Sequence, residues 1–585
     1  MTSAAAAAVR VRSARVRAFA TAAAYALAGL AALVVFAIAA TWRTWGDLDN
    51  DTGHDFVIGD RFAHGELPYV DSIYYYGPLA PAVLGLAARI GGAGIEPFVV
   101  LGLLVACAIV FASFLLARAF AGTLGGFLAA ALVVPVAFGA NQFSYVLPHT
   151  SAATLGILTL LCVLLALVRF AGSGRERWLA AAGFASGLST LTKPEFALAS
   201  AAACALWLVL RRRPRELALL GAPALAVSAL VYGAFLTSVS AHTLVFENLD
   251  PRDFLRAGGS TMLRARAPMT ASSFVALGLK LVLYSAGVVA LVGLARLLHV
   301  RPRATAAALA LAAAVAVAAA FADPEALRHG LHYAWGWIPA GAVVAFLLFL
   351  QRRRPADAAG AAELAALAAL AVLAATTYAA FYATSTAPQM AIYALPLAAA
   401  FLARIHLVEL ARSREARMLG VVWLTALAAA GAGLALKDAR AESATVRGPG
   451  GALRETPAKA AAFQNALDLV ERDTRPGAPI LLAPQMTWMY AISERDNPLR
   501  EISLLPGALA GAGRERRALA RLEGAGVRLA VIDRRTFPEY GQTSFGGSFD
   551  RTLDAWIRSH FRRVAAFSAG ADPQAVHLEV WERVS

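Results

Sequence analysis

The sequence predicts a polytopic α-helical membrane protein of about 13 spans, by the length of chain a bilayer requires, followed by an extracytoplasmic α/β region. Three observations predict it. The chain has 585 residues and is 59% hydrophobic, with a mean hydropathy of +0.60, whereas soluble domains sit nearer 45–50% apolar. Apolar runs of about 18 residues or more recur from Phe19 to about Leu436, each long enough to cross a hydrocarbon core about 30 Å thick. Beyond residue 438, short apolar runs alternate with helical patterns, as in a small α/β fold.

The charge distribution supplies the threading. Net charge is +15, nearly all from arginine, and it sits in short clusters between the apolar runs. That is how cytoplasmic loops are marked, and it argues against a nucleic-acid partner. The basic leader 1–18 is cytoplasmic. Segment 19–41 is longer than a signal-peptide core, so it is an uncleaved anchor despite the cleavage-like Ala37-Ile38-Ala39. It crosses outward and places the first loop, 42–96, outside. Segments 97–118, 121–140 and 148–169 follow, and Arg175 and Arg177 lie inside. A short pair, 178–191 and 196–210, is split by "TKPE" and ends at the inner cluster Arg211 to Arg215. Segment 217–238 leads out to a long loop, 239–272, and 273–297 returns to Arg301 and Arg303. Segments 304–322 and 334–350 precede the inner Arg352 to Arg354. Segments 361–384 and 389–404 precede the inner Arg412, Arg414 and Arg417, and 418–436 goes out for the last time. Alanine-rich stretches such as 306–320 and 358–375 fit closely packed spans, where small residues let backbones approach. The transmembrane part is thus 19–437.

The remainder, 438–585, is an extracytoplasmic domain on this threading. Thr456 and Pro457 open a helix. Ile480 to Ala483 and Leu529 to Ile532 are short buried strands, with a helix between them stopped by Gly524. "VAAF" and "VHLEVW" add two more strands. Cys107, Cys162 and Cys204 all lie in apolar runs, so neither a disulfide framework nor a cysteine metal site is expected. No metalloprotease, redox or nucleophile-elbow pattern occurs, and "GAGRER" lacks the end of a phosphate loop. No cofactor is implied; a divalent metal is compatible with the acidic loop but not demanded by its spacing.

The first loop is the densest in chemistry. Asp47, Asp49, Asp51, Asp55, Asp60, Glu66 and Asp71 crowd it. Any one of them alone would be a solvated surface charge. As a group they flank "FVIGDRFA", whose apolar spacing predicts a short helix lying at the membrane surface. Tyr74, Tyr75 and Tyr76 then stand where an interfacial aromatic belt belongs, before a short apolar helix that opens near Pro78 and ends at Gly91-Gly92. Such a loop would hold carboxylates at the bilayer surface, a sensible place for chemistry on a lipid-linked substrate.

These residues carry a resemblance. Asp55, then "AHGELPYVD" (Ala63 to Asp71), then "YYGPLAP", in a long first outer loop, resemble the GT-C superfamily of membrane glycosyltransferases. The nearest branch is that of the protein mannosyltransferases and aminoarabinose transferases, with the Rgt-like envelope enzymes. The motif covers about the first 90 residues and the architecture the whole chain. The resemblance implies a sugar donor on polyprenyl phosphate and an acceptor (glycan, lipid or protein) on the outer side of the cell membrane. It implies a general-base aspartate, mapped to Asp55 with Asp51 as the alternative. Tyr69 and Asp71 of the motif are candidate substrate contacts.

Phosphate is a good leaving group, so such transfer needs one base and fixed cations rather than two catalytic carboxylates. The candidate cations are Lys193 in "LTKPEF", the loop arginines Arg252, Arg256, Arg264 and Arg266, and Arg328 with His329 and His332. Surface charge fits the loop arginines equally well. Lys193 sits in a turn near the membrane plane, where a charge is costly unless paired or functional. Glu195 is its ready partner, as an ion pair or within the same site. Tyr378, Tyr382 and Tyr393 line either the lipid groove or the interface, and His149 is structural. Two other classes of function compete: a transporter or flippase of a lipid-linked saccharide, which would bury charges mid-span, and a receptor or assembly scaffold working through its tail.

Overall fold

The computed structural model describes residues 2–48, 52–140, 144–249, 357–381, 386–411, 413–510 and 512–584, with Ala318 and Ala322 between. The expected spans 273–297 and 334–350, and most of 304–322, lie outside the described residues. So do Asp51, Arg256, Arg264, Arg328 and His332. Helices and strands are numbered here among the described residues only.

The chain opens with α1 (Thr2–Ala40), in which the basic leader and the first apolar segment form one continuous helix. Its apolar side chains Tyr25, Val35 and Phe36 are exposed, as on a lipid-facing surface. After the first loop, with α2 (Thr52–Ala63) and α3 (Leu79–Gly91), comes α4 (Glu96–Ala137). At 42 residues it is too long for one crossing. Gly122 breaks it, at φ 74° and ψ −177°, a conformation only glycine adopts readily. The break yields the two segments the sequence predicts. Next come α5 (Ser151–Ser173), α6 (Arg177–Thr190), α7 (Pro194–Arg211) and α8 (Pro214–Phe235). Then follow α9 (Ala358–Phe381), α10 (Thr386–Arg404) and α11 (Arg414–Ala441). Among the described residues, seven helices are long and apolar enough to cross a membrane.

The bundle closes through small residues. Ala361, Ala362, Ala365, Ala366 and Ala369 of α9 are all buried, and α9 packs on α7 and α5. Without larger side chains the backbones come close enough for dispersion to hold helices that lipid would solvate equally well. One end of the bundle is pinned by a buried ion pair, Arg404 Nε to Glu363 Oε1 at 2.8 Å.

The C-terminal region begins with the antiparallel hairpin β1 (Ala444–Gly448) and β2 (Gly451–Glu455). Helix α12 (Pro457–Asp473) follows, with Thr456 as N-cap. A four-stranded sheet is built from β3 (Leu481–Ala483), β4 (Leu529–Asp533), β5 (Phe561–Ser568) and β6 (His577–Arg583), in the order β3-β4-β6-β5. The β3–β4 pair is parallel, with Leu481 opposite Ala530, and the other two pairs are antiparallel. Helices α13 (Trp488–Ser493), α14 (Ala512–Ala525) and α15 (Arg551–His560) complete the region. Helix α14 runs through Gly524, the expected stop, to Ala525. The left-handed residue is Gly526, φ 67°, which is where a helix needs it.

The first loop differs from expectation in its setting. Helix α2 is covered by protein rather than half exposed: Asp55, Phe56, Val57, Ile58 and Gly59 are buried. It is wedged between α3 on one side and α13 on the other. Gly53 makes the second contact possible, since a Cβ there would stand 1.7 Å from Trp488 N. Main-chain bonds fix the wedge. Ile73 N donates to Arg500 O at 2.9 Å, Ile95 N to Gly450 O at 2.8 Å, and Arg454 N to Arg43 O at 2.7 Å. The Arg61 guanidinium reaches Asn497 O at 2.5 Å, Leu499 O at 2.7 Å and Ser72 Oγ at 2.8 Å. The first loop and the C-terminal region therefore pack directly on each other.

Candidate functional site

The site is organised by the start of α5. Thr150 is the N-cap, extended at φ −160° and ψ 132°, and its hydroxyl accepts from Ala152 N at 3.3 Å. The next amide, Ser151 N, donates to Asp55 Oδ2 in a very short bond. Asp55 is 3% exposed. A carboxylate in this position meets unpaired helix N–H groups and the positive end of the helix dipole. It borders a cavity of about 20 Å³, walled by Phe56, Leu84, Phe98, Tyr145 and Pro148. That is room for roughly one water molecule or one hydroxyl group.

The preceding residue leads to the candidate cation. His149 Nε2 is 2.9 Å from Tyr393 Oη, and Lys193 Nζ donates to the same oxygen at 2.9 Å. Tyr393 can accept from the ammonium and donate to the imidazole, an arrangement that needs a neutral histidine. Lys193 is 3% exposed. Its ammonium also lies 4.7 Å from the centre of the Tyr76 ring and 5.1 Å from that of Tyr393, each within cation–π range. Glu195, in the first turn of α7, is buried, and its Oε2 has no hydrogen-bond partner among the described residues.

The turn that carries Lys193 is clamped to the first loop. Gly77 N donates to Thr192 O at 2.7 Å and Leu79 N to Leu191 O at 2.9 Å. Gly77 is obligatory, because a Cβ there would fall 2.3 Å from Leu191 C. Asp55 and Lys193, distant in sequence, are thus tied to the one segment 148–151, the first through Ser151 and the second through Tyr393 and His149.

The remaining candidates divide. Tyr69 is fully buried at a positive φ of 70°; its hydroxyl donates to Tyr76 O at 2.5 Å and its ring meets Phe235 edge-on. It buttresses Tyr76 beneath Lys193. Asp71 is exposed and accepts from Leu67 N at 2.8 Å, closing the "GELPYVD" turn. Tyr74 is buried rather than interfacial. It stacks on His54 at 5.7 Å, whose imidazole is lowered to about 4 by burial and then by Arg61. The sequence names His149 as structural and Tyr393 as lining the groove or the interface, but does not join them; in the structure Tyr393 bridges His149 to Lys193. The run "PHTS" before an apolar segment was the available signal, since it is a helix start and hence a place where polar groups converge. Among the described residues no three His, Cys, Asp or Glu side chains are placed to hold a metal ion.

Residues 76–239 match the family model for dolichyl-phosphate-mannose-protein mannosyltransferases. The matched stretch contains the Tyr76 platform, the start of α5 and Lys193. The fold is similar to that of the Archaeoglobus fulgidus oligosaccharyltransferase in complex with zinc and sulfate, at 17% identity and a TM-score of 0.50, over 86% of this chain and 67% of that one. The matched stretch is thus similar to a family of membrane mannosyltransferases, and the fold is similar to that of an oligosaccharyltransferase. Two further solved structures align with this chain. One is ArnT from Cupriavidus metallidurans bound to undecaprenyl phosphate, at 15% identity and a TM-score of 0.42, over 94% of this chain and 98% of that one. The other is the arabinofuranosyltransferase AftD from Mycobacteria, at 17% identity and a TM-score of 0.39, over 97% and 40%. No curated protein matches the chain in sequence.

Proposed function

We propose that the protein is an inverting glycosyltransferase that moves a sugar from a polyprenyl-phosphate donor to an acceptor at the outer face of the cytoplasmic membrane. The observation that carries this is the attachment of a buried carboxylate, Asp55, and a buried ammonium, Lys193, to one helix start. Asp55 is the base. An acceptor hydroxyl placed in its small cavity gives the carboxylate its proton as the oxygen attacks the anomeric carbon. The bond from that carbon to the phosphate oxygen breaks in the same displacement, and the configuration inverts. Lys193, steadied by Tyr393 and Tyr76, neutralises the charge that gathers on the departing lipid phosphate. A positioned base contributes about 10²–10⁴ in rate, and a preorganised donor at the leaving group adds to it without reorganisation. Arg256, Arg264, Arg328 and His332 are further candidates to grip phosphate.

On this reading the N-terminus is cytoplasmic, and 438–585 is an extracytoplasmic domain standing over the first loop. The partners are the lipid-linked sugar, a glycan, lipid or protein acceptor, and membrane lipid. The test compares envelope glycans by mass spectrometry in cells with the intact gene, with the gene deleted, and with Asp55→Asn. A sugar missing from the deletion and restored only by the unaltered gene is the expected result. Unchanged glycans in all three would end the proposal.

A further inference from the structure

A cleft of about 690 Å³ opens between α2 and the C-terminal region, on the face of α2 next to the one that carries Asp55. Its size is typical of a site for a small molecule. Five carboxylates line it, among them Asp60, Glu66 and Asp496, against three arginines. Two of these arginines are already committed within the protein. Arg61 holds the carbonyls of Asn497 and Leu499, and the buried Arg495 donates to Thr474 O at 2.6 Å and to Ser493 O. Arg521, at the mouth, is left to meet a ligand. Glu66 lies 3.6 Å from the Arg61 guanidinium and Asp60 3.6 Å from the His64 imidazole, while burial and then the charge of Asp60 push the Asp496 carboxyl up. At its inner end the cleft is closed by Phe56 and Phe98, stacked 5.2 Å apart, and the same two rings wall the cavity beside Asp55. The cleft and that cavity are neighbours with an aromatic partition between them.

We propose that this cleft binds the non-reacting units of a saccharide acceptor, and that it takes neutral or aminated units while rejecting anionic ones. The inference rests on the glycosyltransferase function proposed above. A wall of carboxylates accepts hydrogen bonds from hydroxyl and ammonium groups, and it repels uronates and sulfates. Aromatic edges beside such acceptors suit a sugar's alternation of apolar and polar faces. Binding of remote units would bring the acceptor up to the Phe56–Phe98 pair that borders the Asp55 cavity, so the energy of the cleft is expressed as rate.

The experiment uses the full-length protein in lipid nanodiscs. Calorimetry measures a neutral mannotriose, a cationic glucosamine trimer and an anionic galacturonate trimer, while native mass spectrometry follows undecaprenyl phosphate in the same sample. The first two trisaccharides bind saturably, and the third binds about tenfold more weakly or worse. Ala525→Trp fills the cleft from an exposed helix end and weakens mannotriose about tenfold. Asp496→Asn, at an exposed side chain, narrows the gap between the neutral and anionic trimers. No binding of any trimer, equal binding of the anionic one, or mannotriose binding indifferent to Ala525→Trp overturns the inference. Undecaprenyl phosphate that still binds when the trimers do not leaves the transferase proposal standing. Trimers that bind as expected without any lipid phosphate would sink that proposal instead.

Discussion

Asp55→Asn separates the chemistry of the site from its architecture. The amide oxygen can accept from Ser151 N as the carboxylate does, so the junction between α2 and α5 is kept. What is lost is the negative charge, and with it the ability to take a proton. The stability cost follows from the setting. A buried anion at a helix N-terminus contributes up to about 2 kcal/mol through the dipole and its charge-assisted bond. Replacement by a neutral acceptor therefore lowers the melting temperature by a few degrees at most. The catalytic cost is larger, about 10²–10⁴ in kcat, or about 3–5 kcal/mol of barrier. The assay is transfer of a labelled sugar from the polyprenyl-phosphate pool of native membranes to endogenous acceptor, with melting of the purified variant alongside. KM for the donor should barely move. A variant that melts like the parent and retains full kcat would refute the assignment of Asp55 as base. A variant that fails to fold would show that the charge is structural.

Four further outcomes follow from the same geometry. Lys193→Met should cost about 10²–10³ in kcat, as for other lost charge-stabilising donors, whereas Tyr393→Phe, which frees the ammonium and His149 from their shared oxygen, should cost less; turnover in membranes ranks them. Gly53→Ala forces a Cβ into the Trp488 amide and should destabilise by at least about 1–3 kcal/mol, read as a fall in melting temperature. Arg61→Ala breaks two charge-assisted bonds from the first loop to the C-terminal region and a third within the loop, and should cost about 2–4 kcal/mol, with faster proteolysis of 490–500. His54, lowered from 6.5 to about 4, is neutral when folded. Between those values the unfolded chain binds the extra proton, so stability is unaffected above pH 6.5 and falls as pH drops, by about 3 kcal/mol once below 4. Melting against pH should show this loss, and His54→Gln should remove it.

Much of the architecture was legible because the bilayer imposes simple rules. Hydropathy located the helices of 19–41 and 217–238 within a few residues, and the four strands of the C-terminal sheet stood out as short β-rich apolar runs between turn residues. The approach of Asp55 to the start of α5 was not legible. It depends on a bond between residues far apart in sequence, and nothing local marks Ser151 as the partner of an aspartate in the first loop. The same holds for Tyr393, whose apolar surroundings look like an interface until His149 and Lys193 converge on its hydroxyl. Helix α2 was correctly taken as a helix, but its burial between α3 and α13 was not foreseen. Its apolar spacing marks a buried face without naming what covers it, and the cover, α13, lies more than four hundred residues downstream.

The wedging of α2 beneath α13 has a practical corollary for truncation experiments. A chain ended near residue 437 would strip the roof from Gly53, Phe56 and Ile73 and release the carbonyls that hold Arg61. It would then be inert whether or not the missing part ever touches a sugar. Deletions here report on scaffolding, and the question of what the tail recognises belongs to point substitutions that leave the roof on.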